Sequence, residues 1–300
     1  MNVVTHETAL KSKPHQSLSP WALARKKFMR RKLAVLSALF LIFMIALSFL
    51  APYVTTTDIS RIHTDKISLE PSSEHWLGTD KNGRDVFTRT LYGGRVSLTI
   101  GLASTFFVTL IGTTIGAVAG YFGGWVDSLL MRLTDFMMNF PFMVFAIVLN
   151  SILLGKLTNA WSLVIVFSVL TWGSVARIVR SVILAEKENE YILAARSIGT
   201  KPGMIIIKHL LPNVMTTIIV QATLLLALYI VAEAGLSFIG IGVPTDTPSW
   251  GNMLMEARER DVLQNKPWIW VPPAICVSFT ILAINFFGEG VKDAFNPKAH

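Results

Sequence analysis

The stretch "VSLTIGLASTFFVTLIGTTIGAVAGYFGGWV", residues Val96–Val126, runs for 31 positions without an Asp, Glu, Lys or Arg. A helix rises 1.5 Å per residue, so about 20 apolar residues cross the hydrocarbon core of a bilayer. This stretch is long enough to do so. Five more uncharged windows flank it: Leu33–Thr57, Phe136–Gly155, Leu157–Ala176, Leu210–Ala232 and Pro267–Gly288, of 25, 20, 20, 23 and 22 residues. Composition agrees, with 52% hydrophobic and 15% charged residues against about 25% charged in a soluble domain. The sequence predicts an all-α integral membrane protein with six transmembrane helices. The third and fourth windows are separated only by a short linker at Gly155–Ala160, which predicts a tight hairpin.

The formal net charge is +8, which raises the question of nucleic acid. The cations concentrate instead in "RKKFMRR" and Lys32, where the first apolar run begins. That is a positive-inside anchor; it predicts a cytoplasmic N-terminus and no nucleic-acid partner. Six spans then bring the C-terminus to the same side. On this topology 17 Lys and Arg lie inside and 10 outside. The first apolar run exceeds the 7–15 residues of a signal-peptide core, so it reads as an uncleaved helix. The organisation that follows is a basic tail (1–32), a first span (33–54), an outer loop (55–95), a core unit of five spans (96–288) and a C-terminal tail (289–300).

Within the second window Gly112, Gly116 and Gly120 recur every four residues. Small residues at that interval line one stripe of a helix and let another backbone come close, which predicts tight packing against an unnamed partner. Ionisable residues inside the windows are absent. Glu233, at the outer end of the fifth, reads as an interfacial structural group, because "AGLSFIGIGV" follows it as a glycine-punctuated exit. Cys276 is the single cysteine, which excludes an internal disulfide and reads as apolar packing.

Catalytic chemistry has no foothold. There is no G-x-x-x-x-G-K-[ST] loop for nucleotide phosphates, no G-x-S-x-G and no H-E-x-x-H. None of the six histidines pairs with another His or Cys at metal-ligand spacing. The expectation is no catalytic residue, no metal and no cofactor in this chain.

Between the fourth and fifth windows lies "EYILAARSIGTKPGMIIIKHLLPN", Glu190–Asn213. Tyr191, Ala194, Ala195 and Ile198 fall at i, i+3, i+4 and i+7, one face of a short helix. Gly199 suits a left-handed helix end, Thr200 can cap the next helix, and Pro202 suits its first turn. Two short helices joined by an elbow are predicted, with Leu211 and Pro212 turning the chain into the fifth span. Periodicity alone leaves open whether this elbow docks a partner or only shields helix ends.

"AARSIGTKPGMIIIKHLLPN" resembles the EAA loop of ABC-importer permeases, with Ala194, Ala195, Gly199, Leu211 and Pro212 at the motif positions. Leu193 stands at the motif's acidic position, as in the peptide branch, and His209 replaces its isoleucine. "LGTDKNGRDVFTRTLYGGRVSL" (Leu77–Leu98), "AEAGLSFIGIGVPTDTPSWGNML" (Ala232–Leu254) and "VKDAFNPK" (Val291–Lys298) resemble the C-type permease subunit of oligopeptide, dipeptide and nickel importers. Thr245–Asp246 departs from that family's usual proline pair.

The resemblance implies a type I ABC-importer permease fold in a bacterial inner membrane, working in the lipid bilayer. It implies a second homologous permease subunit, two ATPase subunits that bind the ATP and Mg, and an extracytoplasmic substrate-binding protein. It implies a cytoplasmic coupling helix within 186–213, with Glu190, Tyr191, Ala194, Ala195, Arg196, Gly199, Leu211 and Pro212 as ATPase-coupling residues. The expected cargo is an oligopeptide or dipeptide; nickel or another small solute, and a stand-alone secondary transporter, are the alternatives.

Overall fold

The computed structural model describes residues 20–55, 59, 62–153, 157 and 159–295. Most of them are helical. A short helix α1 (Pro20–Arg30) leads into α2 (Lys32–Phe49) and a single turn α3 (Ala51–Val54). After the outer loop come α4 (Val86–Phe122), α5 (Gly124–Met138), α6 (Phe142–Leu153) and α7 (Asn159–Glu186). The elbow contains α8 (Glu190–Ser197) and α9 (Pro202–Ile205) and feeds α10 (Leu211–Phe238). On the far side α11 (Trp250–Leu254) and α12 (Arg260–Asn265) precede α13 (Pro267–Phe295). An isolated antiparallel bridge joins Thr79 and Asp85.

Five helices are long and apolar enough to cross a membrane, and the pair α5–α6, bent by 85°, completes six when counted as one span. The third window is therefore not one straight helix. Pro141 lacks an N–H and pushes the residue before it out of helical conformation. The helix stops at Asn139, whose side-chain amide donates back to the Asp135 carbonyl oxygen at 2.8 Å. The expected hairpin with the fourth span survives as packing of α6 on α7, although half of its linker lies outside the described residues.

The helices also overrun their uncharged windows. α4 starts at Val86 and carries Arg89 and Arg95; α7 continues through Arg177 and Arg180 to Glu186. Arg177 pairs with Asp135 at 2.6 Å, and Arg180 makes a bidentate pair with Asp127. Those contacts pin the elbow end of α7 to α5 and give the charges there a partner.

The most extensive pairing is α4 against α7, and the glycine stripe explains it. A Cβ on Gly112 would lie 2.5 Å from the Val175 Cβ; on Gly116 it would lie 2.4 Å from the Ala176 carbonyl oxygen; on Gly120, 2.9 Å from the Ile183 Cβ. The partner that the sequence left unnamed is α7. Phe167, Val175, Ala176, Val179 and Ile183 of α7 are buried in the core that this contact builds with Tyr229 and Leu225 of α10. Exposed Leu33, Leu36, Leu39, Ile42 and Phe43 on α2 form an apolar outer face, as a lipid-facing helix requires.

Candidate coupling site: an exposed elbow on two core helices

The elbow hangs between α7 and α10, the two helices that share the core. Helix α8 ends in paired hydrogen bonds: Gly199 N–H to the Arg196 carbonyl oxygen (3.0 Å) and Thr200 N–H to that of Ala195 (3.1 Å). This pair is a Schellman motif. It requires a left-handed residue at Gly199, which has φ +78°. The turn is thus fixed by backbone bonds rather than left slack. Thr200 does not cap the next helix. Lys201 is the N-cap, without a side-chain bond, and Pro202 opens α9 as expected.

Beyond α9 the chain departs from the expected turn at Leu211–Pro212. A π-helical turn, Ile206–Leu210, joins α9 to α10, and the helical path continues from Pro202 to Phe238. Pro212 has no N–H to give and its ring crowds the carbonyl four residues back. A wider turn immediately before it relieves that crowding. The elbow is therefore continuous with α10.

The expected face is divided. Ala195 packs inward with Ile192, and both are buried, while Tyr191, Ala194 and Ile198 face outward. Ile198 is 82% exposed and Ile207 66% exposed, and Leu193 and Met204 are exposed nearby. Glu190 begins α8 in solvent, Leu211 is half-buried and Pro212 is exposed. A Cβ on Gly199 or Gly203 would meet nothing within 4 Å. The tip is an apolar knob ringed by Arg196, Lys201 and Lys208, all exposed.

Three side chains, Tyr191, Arg196 and Lys187, brace it through four contacts. The Tyr191 hydroxyl donates to Glu186 Oε2 at 2.8 Å and accepts from Asn213 Nδ2 at 2.6 Å, so one residue ties the end of α7 to the start of α10. Burial, and then the bond to the Glu186 carboxylate, pushes the Tyr191 pKa up, which keeps the hydroxyl a donor. The Arg196 guanidinium lies 4.8 Å from the centre of the Tyr121 ring on α4. Lys187 Nζ donates to the Gly120 carbonyl oxygen at 3.1 Å.

At the opposite end of the spans lies a polar knot that the sequence did not disclose. Glu233 is fully buried within the protein, in the structural role expected of it. It accepts from Ser97 Oγ at 2.7 Å and Ser237 Oγ at 2.8 Å, and Trp250 N–H donates to Ser97 Oγ at 3.2 Å. Asn252 closes a capping box with Ser249, and its amide donates to the Pro244 and Thr247 carbonyl oxygens at 3.0 and 2.7 Å. The S-x-x-N spacing of Ser249 and Asn252 is the readable trace of this turn. Nearby, Asp80 accepts from Arg84 Nε at 2.7 Å, and Arg84 and Arg89 both donate to the Thr245 carbonyl oxygen, at 3.2 and 3.3 Å. Burial, then Asp80, raises the pKa of Glu256 beside them. The loop before α4 and the turn after α10 are thereby tied to each other over those two helices.

Glu233→Ala strands two buried hydroxyls and leaves a void. The expected cost is about 2–4 kcal/mol, seen as a lower unfolding temperature in detergent and faster proteolysis within 243–254. Glu233→Gln keeps an acceptor and should lose much less. Equal stability of the two variants would mean that the knot holds nothing.

Among the described residues no group of three or more His, Cys, Asp or Glu is placed to hold a metal ion.

The chain matches two family models: residues 112–300 match "binding-protein-dependent transport system inner membrane component" and residues 19–71 match "N-terminal TM domain of oligopeptide transport permease C". A dipeptide transport system permease protein DppC of Alkalihalophilus pseudofirmus is 37% identical over 95% of this chain and 92% of its own length. A glutathione transport system permease protein GsiD of Pectobacterium atrosepticum is 37% identical over 93% of this chain and 92% of its own. Among solved structures, the inward-facing MetNI methionine ABC transporter includes a chain of like fold, with TM-score 0.57 and 18% identity over 69% of this chain and 96% of that one.

Proposed function

The chain belongs to the family of binding-protein-dependent transport system inner membrane components, and from that premise we propose that it is one permease subunit of an ATP-driven peptide importer. It forms half of a translocation pathway with a second, homologous permease. The exposed knob at Ile198–Gly199, braced on α7 and continuous with α10, carries this reading. A driven helix needs a stiff handle, and the Schellman turn, the Tyr191 clasp and the π turn supply one. The coupling loop is 186–213, and Glu190, Tyr191, Ala194, Arg196 and Gly199 contact an ATPase subunit. Ala195 supports them from inside, and Leu211 and Pro212 pass the motion to α10.

The knob, the basic tail 1–32 and the C-terminal tail 289–300 lie in the cytoplasm, and the outer loop 55–95 meets the binding protein. The core unit 96–288 holds the pathway-forming spans. The charge bias favours that orientation. ATP and Mg belong to the partner subunits, and this chain acts without catalysis of its own. The relatives named above are dipeptide and glutathione permeases, which favours a short peptide over a metal ion as cargo. Closing of the ATPases then biases a two-state arrangement of the permease pair, which is how a distant event opens a pathway.

The test is a single cysteine at the tip. Ile198→Cys in a Cys276→Ala background should crosslink to an ATPase subunit in the assembled complex, with a yield that changes when nucleotide binds. Modification of that cysteine by an impermeant reagent added outside intact cells would overturn the reading. So would solute movement by vesicles that hold this chain alone. For the cargo, di- and tripeptides should compete for uptake while divalent nickel should not.

A further inference from the structure

The junction of α1 and α2 makes a second surface that the coupling reading leaves unused. The helices part at Arg31, whose backbone is extended (φ −87°, ψ 92°). Helix α1 then lies back on the end of α13. Phe28 meets Phe287 edge-on at 5.7 Å between ring centres, and Arg31 pairs with Asp293 at 2.7 Å. Gly290 permits the approach, since a Cβ there would sit 2.3 Å from the Ala34 Cβ. Between the two arms is a groove of about 290 Å³, lined by the cations Arg30, Arg31 and Lys32, the carboxylates Glu289 and Asp293, and apolar Leu33 and Phe286; Arg31 takes up Asp293, which leaves two cations against Glu289.

The groove joins two chemistries. Six of the eight residues 25–32 are Lys or Arg and none is acidic. Arg30 and Lys32 are exposed and have no ion-pair partner among the described residues. Directly along the chain, Leu33 and Leu36 are exposed at 62% and 64%, with Phe286 beside them. Cations therefore stand at the head of an apolar track that runs down α2. A free inorganic anion would use the cations and leave the track uncovered. A zwitterionic lipid would use the track and gain little from the cations.

We infer that this groove binds one anionic phospholipid, its phosphate between Arg30 and Lys32 and one acyl chain along Leu33, Leu36 and Phe286. Charge complementarity and the head-to-tail order of the lining select this occupant. Basic residues at a membrane surface attract anionic headgroups, and long cationic side chains reach the headgroup level from a buried stem. The bound lipid would pin α1 to the end of α13. The inference requires that this end lie at a membrane surface and does not depend on which solute the importer carries.

The test is native mass spectrometry of the purified importer complex with phosphatidylglycerol or phosphatidylcholine. The wild type should retain phosphatidylglycerol selectively. Arg30→Gln with Lys32→Gln should lower that binding about tenfold or more and leave phosphatidylcholine unchanged. Arg30→Lys with Lys32→Arg should keep it, because charge rather than shape is required. Unfolding temperature serves as the folding control. Equal retention of the two lipids by the wild type would overturn the inference. So would an equal loss on Arg258→Gln with Arg260→Gln, at the other end of the spans. A complex that binds the lipid but moves no peptide would refute the transport reading and leave this one standing.

Discussion

Gly199→Asp is expected to abolish ATP-driven uptake while the chain still inserts, accumulates and assembles its core. The cost to the fold is small and can be bounded. An L-residue in the left-handed region costs about 1–2 kcal/mol, and aspartate is among the residues that visit it most readily. No steric term adds to this, because a Cβ at Gly199 would meet nothing within 4 Å. The substitution is thus nearly silent for the isolated chain and places bulk and a negative charge at the tip of the handle. Open space beside a left-handed turn that backbone hydrogen bonds hold is what a docked partner would fill. Gly199→Asn separates the two effects: it keeps the shape and removes the charge. If the ATPase groove accepts only the bare backbone, both variants lose uptake. The measurement is peptide uptake normalised to membrane-inserted protein. Unimpaired uptake by Gly199→Asp would end the coupling assignment.

Much of this architecture was legible because a bilayer imposes a length rule on uncharged sequence. The windows Leu210–Ala232 and Pro267–Gly288 each sit inside an observed long helix, whereas Val96–Val126 overruns α4, which ends at Phe122 where Gly123 turns the chain into α5. Their ends were legible only in part. A charge stops an uncharged window, yet Arg89 continues α4 and Arg180 continues α7, because Asp80 and Asp127 wait across space to receive them. The length rule took Phe136–Gly155 as one span and passed over Pro141, whose local effect bends it.

At the elbow, Gly199 and Pro202 were legible because each demands a particular backbone. The face was not. Periodicity grouped Ala194 with Ala195, but the buried pair is Ile192 with Ala195, and which side of a short helix turns inward depends on neighbours. Pro212 marks a place where the helix must adjust, but not whether it ends or widens into the π turn that is observed. The outer knot was hidden for a related reason: Ser97, Glu233 and Trp250 are brought together over more than 130 residues of sequence. Nothing in any one stretch says that the other two will be there.

The glycine stripe allows the same logic to be run in the opposite direction, from an enclosed site rather than an open one. Gly116→Leu should prevent α4 and α7 from docking and so remove the folded protein. A Cβ at this position would lie 2.4 Å from the Ala176 carbonyl oxygen, 2.9 Å from the Val179 Cβ and 3.0 Å from the Arg180 nitrogen. Two of these three are backbone atoms of α7, which cannot rotate away as a side-chain tip could. Restoring ordinary contact distances requires the helices to part by about 1 Å, and dispersion falls steeply over such a gap. The separation would be felt along the whole seam, since Gly112 and Gly120 make equally close approaches on either side. Even Gly116→Ala should cost about 1–3 kcal/mol from overpacking, and leucine adds three more carbons to the same space. An internal control is available in Gly235, also helical, where an added Cβ would meet nothing within 4 Å. Gly235→Ala should be neutral or gain up to about 1 kcal/mol through helix propensity. The measurement is unfolding temperature and yield of monodisperse protein in detergent. A Gly116→Leu chain as stable as Gly235→Ala would show that α4 and α7 are not held by backbone contact. In that case α7 could not transmit a push from the elbow into the core by the route argued here.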